Sequence, residues 1–219
     1  MQINFLTIFP EYFSNILSSS ILKRASEKKI VNYQLINLRN FAQDKHQTTD
    51  DRPFGGGPGM VMMIEPIDLA LKSLKQKKGS LNKKIILTSA KGELFKQERA
   101  LNWSHLSELT IVCGHYEGVD ERVAKYLVDE EIRIGDYVLT GGEAAALVMT
   151  DAVVRLLPGV LGNEESGEDE SHTTTNLTGP EQYTRPAKYL DWSVPETLLS
   201  GDPKKIKAFR EESRKSIKN

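Results

Sequence analysis

The chain has 219 residues, 39% of them hydrophobic and 27% charged, with a formal net charge of −1 and a pI of about 6.5. These values fit an ordinary globular chain with room for one sizeable α/β domain and a small appendage, and they exclude an overall basic field that would announce a nucleic-acid partner, leaving only a local basic surface open. The single cysteine, Cys113, excludes an internal disulfide and suits a reducing cytosol. No run approaches the ~18 apolar residues of a membrane span. The apolar start, Ile3–Phe9, is short, has no basic flank and runs straight into Pro10 and Glu11, unlike a secretory signal. A cytoplasmic protein with no membrane partner is the expectation.

Taken in chain order, Ile3–Phe9 reads as a buried strand, and Pro10 opens a short helix. Ser20 is placed to cap a second helix over Ile21–Lys29, and Val31–Asn37 alternates as a strand. Strand, helix, strand favours a parallel sheet. A long loop, Arg39–Met63, follows, with four glycines and two prolines within Pro53–Gly59 that forbid regular structure there. Loops of this length inside a domain are functional or disordered; Phe54 and the apolar tail Met60–Ile64 argue against disorder, so a substrate-handling lid is expected. Its glycines lack the following lysine of a P-loop, and His46 with Asp44 and Asp50 has loose spacing for a metal.

Pro66–Lys77 predicts an amphipathic helix stopped by Gly79, Lys84–Thr88 a buried strand, Ser89–Gly92 its loop, and Leu94–Ser104 a helix with a solvated His105 near its end. Leu109–Cys113 is the next strand, with Cys113 a small core residue rather than a nucleophile. Val119–Val128 reads as a helix opened by Asp120 and Glu121, followed by short strands at Ile132–Ile134 and Tyr137–Leu139. The stretch Ile134–Gly142, IGDYVLTGG, and the stretch Cys113–Arg122, CGHYEGVDER, each join apolar residues to glycines. Ile134, Val138 and Leu139 read as buried strand, and Gly114, Gly135, Gly141 and Gly142 as points where the chain turns or a ligand approaches the backbone. Each loop alone is an ordinary tight turn; the pair suggests a ligand crevice at the carboxyl edge of the sheet without naming the ligand.

Glu143–Leu157 predicts a helix, in which Asp151 and Arg155 are spaced for a plain i, i+4 ion pair. Residues 163–178 have the acidic, polar composition of a mobile linker. YTRP (Tyr183–Pro186) and WSVP (Trp192–Pro195) read as rigid turns, and Pro203–Lys218 as a basic helix that is a solvated face or a phosphate-contacting one.

DDRPFGGGPGM, CGHYEGVDER, IGDYVLTGGE, LPGVLG and YTRP, in this order and spacing, resemble the bacterial tRNA (guanine-N1)-methyltransferase family, TrmD, from Met1 to about Arg210. The resemblance implies a SPOUT methyltransferase: a parallel-sheet α/β domain with a deep trefoil knot at residues 1–162, an acidic linker at 163–182, and a small helical tRNA-binding domain at 183–219. General rules against threaded chains give no hint of such a knot. The implied partners are tRNA and a second copy of the chain in an obligate homodimer. The implied reaction moves the methyl of S-adenosyl-L-methionine to N1 of the guanosine at tRNA position 37.

Residue by residue, the resemblance places the cofactor against Thr88, Ser89, Gly114, Tyr116, Ile134, Gly135, Asp136, Tyr137, Val138, Leu139, Gly141 and Gly142. Arg155 matches the family's catalytic arginine, which would stabilise charge at O6, and Asp169 is the best match to its base, with Glu168 and Glu170 as alternatives. Glu117 matches a carboxylate near the reacting centre. Asp51, Arg52, Gly57, Gly59 and Met60 would hold the extruded guanine or its phosphate. The arginine and the base are expected to act across the dimer interface. The family is associated with Mg²⁺, but no metal-ligand spacing here supports it independently. His115 stands where many members have arginine, Ala90 replaces a common proline, and longer members continue beyond the basic helix. An RNA-binding module without catalysis is opposed by Arg155, Glu117 and the acidic cluster; a phosphate-cradling nucleotide binder is opposed by the missing P-loop lysine and the missing G-x-G-x-x-G.

Overall fold

A computed structural model describes residues 1–162, 170–172, 174 and 177–216. It falls into two compact units, Met1–Leu161 and Gly162–Asn219. In the first, the elements run β1 (Gln2–Thr7), α1 (Glu11–Leu17), α2 (Ser20–Glu27), β2 (Asn32–Asn37), a 3₁₀ turn (Leu38–Phe41), the short strands β3 (Asp50–Asp51) and β4 (Val61–Met62), α3 (Ile64–Ser73), β5 (Lys83–Leu94), α4 (Gln97–Ser104), β6 (Glu108–Val112), a π-helical turn (Val123–Leu127), β7 (Glu130–Arg133) and α5 (Glu143–Val154).

The central sheet has the order β2-β1-β6-β5-β7, and every neighbouring pair is parallel. Alternation along the strands explains why both faces are covered. Ile3 and Phe5 of β1, Ile86 of β5, and Leu109 and Ile111 of β6 enter one core with α1, α2, α4 and α5. Leu6, Ile85, Leu87 and Val112 enter the other, with Ile67, Ala70 and Leu71 of α3. Strands buried on both sides need apolar residues at successive positions, as KIIL and LTIV supply. Cys113 is fully buried in the first core, where desolvation first and the Glu143 carboxylate second push its thiol well above the ordinary range. Among the described residues no helix is long and apolar enough to cross a membrane.

Several expected elements differ. The segment expected as a helix from Val119 carries only the π turn over Val123–Leu127, because Met62 forms a parallel bridge with Val119 and accepts from the Asp120 N–H at 3.0 Å, so this backbone is committed to a neighbouring segment. Ser89–Gly92 is not a loop after a strand but lies inside one long strand, β5. Its pairing to β7 breaks between Thr88 and Glu93, and the intervening residues bulge out. Tyr137–Leu139 is not a strand, and Val138 is 85% exposed instead of buried; the apolar residues there face a cavity, not a core. Ser19 rather than Ser20 caps α2, without a side-chain hydrogen bond.

The second unit holds a two-stranded hairpin, β8 (Lys188–Tyr189) with β9 (Trp192–Ser193), then α6 (Glu196–Leu199) and α7 (Pro203–Glu212). The hairpin takes in Trp192 and Ser193, which the sequence assigns to a rigid turn. Asp202 caps α7, accepting from the Lys204 and Lys205 N–H groups at 3.0 and 3.4 Å. Lys204, Lys205 and Lys207 are exposed along α7.

Candidate active site

β6 and β7 end, and β5 bulges, at one edge of the sheet, where the chain closes a cavity of about 410 Å³. Three segments line it: Leu87–Lys91 from β5 and its bulge, Gly114–Val119 with Glu121 after β6, and Glu131–Arg133 of β7 with Ile134, Gly135 and Tyr137–Gly142 beyond it. Of the positions expected at a cofactor, Thr88, Ser89, Gly114, Tyr116, Ile134, Gly135, Tyr137, Val138, Leu139, Gly141 and Gly142 line it; Asp136 does not. Asp136 instead accepts from Arg133 Nε at 2.8 Å.

Thr88 is the node that laces the three segments. Its hydroxyl donates to the Val112 carbonyl at 3.2 Å and accepts from the Gly114 N–H at 2.9 Å. The Gly114 carbonyl in turn accepts from the Gly142 N–H at 2.7 Å, and His115 bridges Gly141. These approaches leave no room for side chains. A Cβ on Gly114 would lie 2.8 Å from the Thr88 carbonyl oxygen, and one on Gly142 would overlap the Thr88 hydroxyl. The wall is therefore backbone-rich and narrow by construction. Thr88→Val keeps the shape but strands the Gly114 N–H. It is expected to cost about 1–3 kcal/mol and to weaken ligand binding in the cavity. Thermal melts and ligand titration check this; an unchanged melting temperature and affinity would remove Thr88 from this role.

The glycine-rich segment is docked onto the second wall. The Glu117 N–H donates to the Met60 carbonyl at 3.0 Å, and the Met62 N–H to Gly118 O at 2.9 Å. Gly59 packs against the Glu117 side chain so closely that a Cβ there would lie 2.8 Å from its carboxyl carbon. A Cβ on Gly55, Gly56 or Gly57 would meet nothing within 4 Å, all three have positive φ, and Phe54 is fully exposed. Asp51 and Arg52 are exposed, joined by an N–H to carboxylate bond of 2.7 Å. None of Asp51, Arg52, Gly57, Gly59 and Met60 lines the cavity, but Glu117 does, and it joins Gly59 and Met60 to that wall. Tyr116, in a left-handed conformation with φ of 60°, has its hydroxyl pKa raised by burial and by a hydrogen bond to Asp50, with Arg39 opposing.

Lys91 and Glu121 form an ion pair between the first and second walls. Glu143, the first residue of α5, is only 3% exposed and accepts from the Thr7 hydroxyl at 2.7 Å. The sequence reading missed Glu143 and Lys91. A carboxylate opening the otherwise apolar EAAALVM run was the available signal for the first; no pattern marks the second. Arg155 caps the far end of α5, half-buried, its N–H donating to the Asp151 carbonyl at 3.2 Å. It does not line the cavity. Asp169, with Glu168, lies outside the described residues; Glu170 is described and half-buried. Among the described residues there is no grouping of three or more His, Cys, Asp or Glu side chains that could hold a metal ion.

A parallel α/β sheet with a backbone-lined crevice at its carboxyl edge is the arrangement in which open α/β proteins bind small ligands. The family model described as tRNA (Guanine-1)-methyltransferase TrmD matches residues 1–218. A protein named tRNA (guanine-N(1)-)-methyltransferase from Staphylococcus carnosus is 48% identical over 214 residues, covering 98% of this chain and 86% of its own. Proteins of the same name from Bacillus subtilis and Carboxydothermus hydrogenoformans are 49% and 50% identical, each over 96% of this chain and over 86% and 81% of their own. The chain belongs to the TrmD family of tRNA (guanine-N1)-methyltransferases.

Proposed function

We propose that the protein transfers the methyl group of S-adenosyl-L-methionine to N1 of a guanosine in tRNA, at position 37 beside the anticodon. The observation that carries this reading is the cavity itself, built from the three segments on which the family's cofactor positions fall. The cofactor fits what is there. The volume of about 410 Å³ lies within the range of small-molecule sites. A narrow wall of backbone at Gly114, Ile134 and Gly142 suits an adenosine held in an apolar slot. Bound there, the cofactor's sulfonium supplies an activated methyl.

The protein's own work is orientation and charge. No enzyme nucleophile is needed for an in-line displacement, and holding the base against the donor is the larger contribution. Arg155 is proposed to stabilise the charge that builds at guanine O6, and Asp169 to take the N1 proton. Glu117 is proposed to orient the reacting base, and the loop from Asp51 to Met60, docked on Glu117, to hold the nucleotide. The spacing within one subunit supports the homodimer. α5 has 12 residues and is therefore about 18 Å long at ~1.5 Å per residue. Its first turn borders the cavity, whereas Arg155 caps the other end, so Arg155 would serve the cavity of a second subunit. The knot, a cytoplasmic location and a tRNA-gripping second unit whose basic α7 meets phosphates complete the proposal. No residue is assigned to Mg²⁺.

An assay with S-adenosyl-L-methionine and two transcripts of one tRNA, carrying guanosine or adenosine at position 37, tests it. Methylation of the guanosine transcript alone is expected. Equal transfer to both would move the target elsewhere, and transfer to neither would leave an RNA-binding relative.

A further inference from the structure

Behind the cavity wall lies a buried carboxylate whose partner is incomplete. Glu143 opens α5, where the helix dipole favours a negative charge. Its Oε1 accepts from the Thr7 hydroxyl at 2.7 Å, and that hydroxyl is fixed as a donor to Glu143 because it also accepts from the Phe9 N–H at 2.9 Å. A carboxylate with 4% side-chain exposure needs a compensating hydrogen-bond donor or cation. Among the described residues the one cation-forming group within ion-pairing distance is His115, with Nδ1 3.8 Å from Oε2. That nitrogen is itself buried and makes no hydrogen bond among the described residues.

His115 is well held. Its ring stands edge-on to Phe9 and to Tyr116, with centroids 5.1 Å away in each case, and its backbone bridges Gly141. A Cβ on Gly141 would collide with both His115 and Glu143. The ring lines the cavity, and since Nδ1 is buried, the 21% of the side chain that is exposed lies away from that nitrogen. The titratable groups around the pair are Glu143 from α5, Cys113 at the end of β6, and Tyr116 and Glu117 on the loop of His115 itself. Thr7 at the end of β1, Phe9 just after it, and Gly141 bring no charge.

We propose that Glu143 holds His115 as the Nδ1–H tautomer and thereby makes it a positioning residue whose free Nε2 accepts a hydrogen bond from an N–H or O–H donor of the cofactor. The inference rests on the methyltransferase reading for its ligand but not for its tautomer. A carboxylate facing Nδ1 selects the form with the proton there, which leaves a lone pair on Nε2. With an amide at position 143, an NH₂ donor would face Nδ1 and select the opposite form.

Nitrogen-15 NMR of the imidazoles, recorded near pH 8.5 and assigned with His115→Gln, tests this on the whole protein, which has four histidines. The expected wild-type result is Nδ1 protonated and Nε2 bare. Glu143→Gln is expected to switch the ring to Nε2–H and to raise the Kd for S-adenosylhomocysteine, the unreactive product, by about tenfold, the worth of one hydrogen bond. A merely structural Glu143 would change stability without switching the tautomer. In the wild type, S-adenosylhomocysteine is expected to move the Nε2 resonance. An Nε2–H wild-type ring overturns the proposal, even where the variant does not fold. Binding that leaves the Nε2 resonance in place overturns the positioning role. Absence of binding by any form overturns the cofactor reading itself, while the tautomer still decides the pairing of Glu143 and His115.

Discussion

Arg155→Ala is expected to lower kcat by about a thousandfold, the loss typical of removing one preorganised charge from a transition state. The affinity for S-adenosyl-L-methionine should stay within about twofold, because Arg155 is not part of the cavity wall and only transition-state binding is removed. Single-turnover methyl transfer and calorimetric cofactor binding separate the two. An equal loss of both would contradict the role assigned to the guanidinium. Thermal melts of the variant separate a loss of stability from the loss in chemistry.

Gly142→Ala should act by the opposite route, through the cofactor. The backbone there has φ of −82° and ψ of −6°, which any residue adopts, so the glycine is required by space alone. A Cβ would overlap the Thr88 hydroxyl and lie 2.8 Å from the Thr88 Cβ and 2.9 Å from the Gly114 nitrogen. Thr88 cannot yield, since its hydroxyl is committed to Val112 and Gly114. Overpacking of this kind costs about 1–3 kcal/mol, and here it would open the first and third walls of the cavity together. A loss of at least about a hundredfold in cofactor affinity is expected, the equivalent of roughly 2.7 kcal/mol. Unchanged affinity would mean that the walls move freely and that Gly142 is only a turn residue. The two variants also test the dimer. If Arg155 of one subunit serves the cavity of the other, an equilibrated equal mixture of Arg155→Ala and Gly142→Ala proteins should recover up to about a quarter of wild-type activity through hybrid dimers with one intact site. No recovery would place Arg155 and the cavity it serves in the same subunit.

The architecture was legible in the chain because its signals are local. Alternating strand and helix patterns, with KIIL and LTIV too apolar for one-sided burial, point to a parallel sheet covered on both faces. The glycines at 114, 141 and 142 stand beside apolar runs, and the pairing of two such stretches suggests a crevice at a sheet edge. Family motifs carry the assignment further, since they name positions whose chemistry no periodicity reveals. Asp136 shows where that transfer thins out, standing within a motif but outside the cavity lining.

What the sequence determined by itself is thus the class of fold, the segments that meet at its edge, and the family. Only the tertiary structure decided how those segments engage. β5 runs through Ser89–Gly92 because β7 is there to pair with it again beyond the bulge. The segment after Val119 forgoes a helix because Met62 claims its backbone. Val138 and Leu139, apolar enough for a core, stand exposed at a cavity. Glu143 reads as one more helix-opening acid until Thr7, from the opposite end of the unit's sequence, and His115 are brought against it. Each of these depends on contacts between residues distant in the chain, and burial, unlike periodicity, is a property of the neighbours and not of the residue.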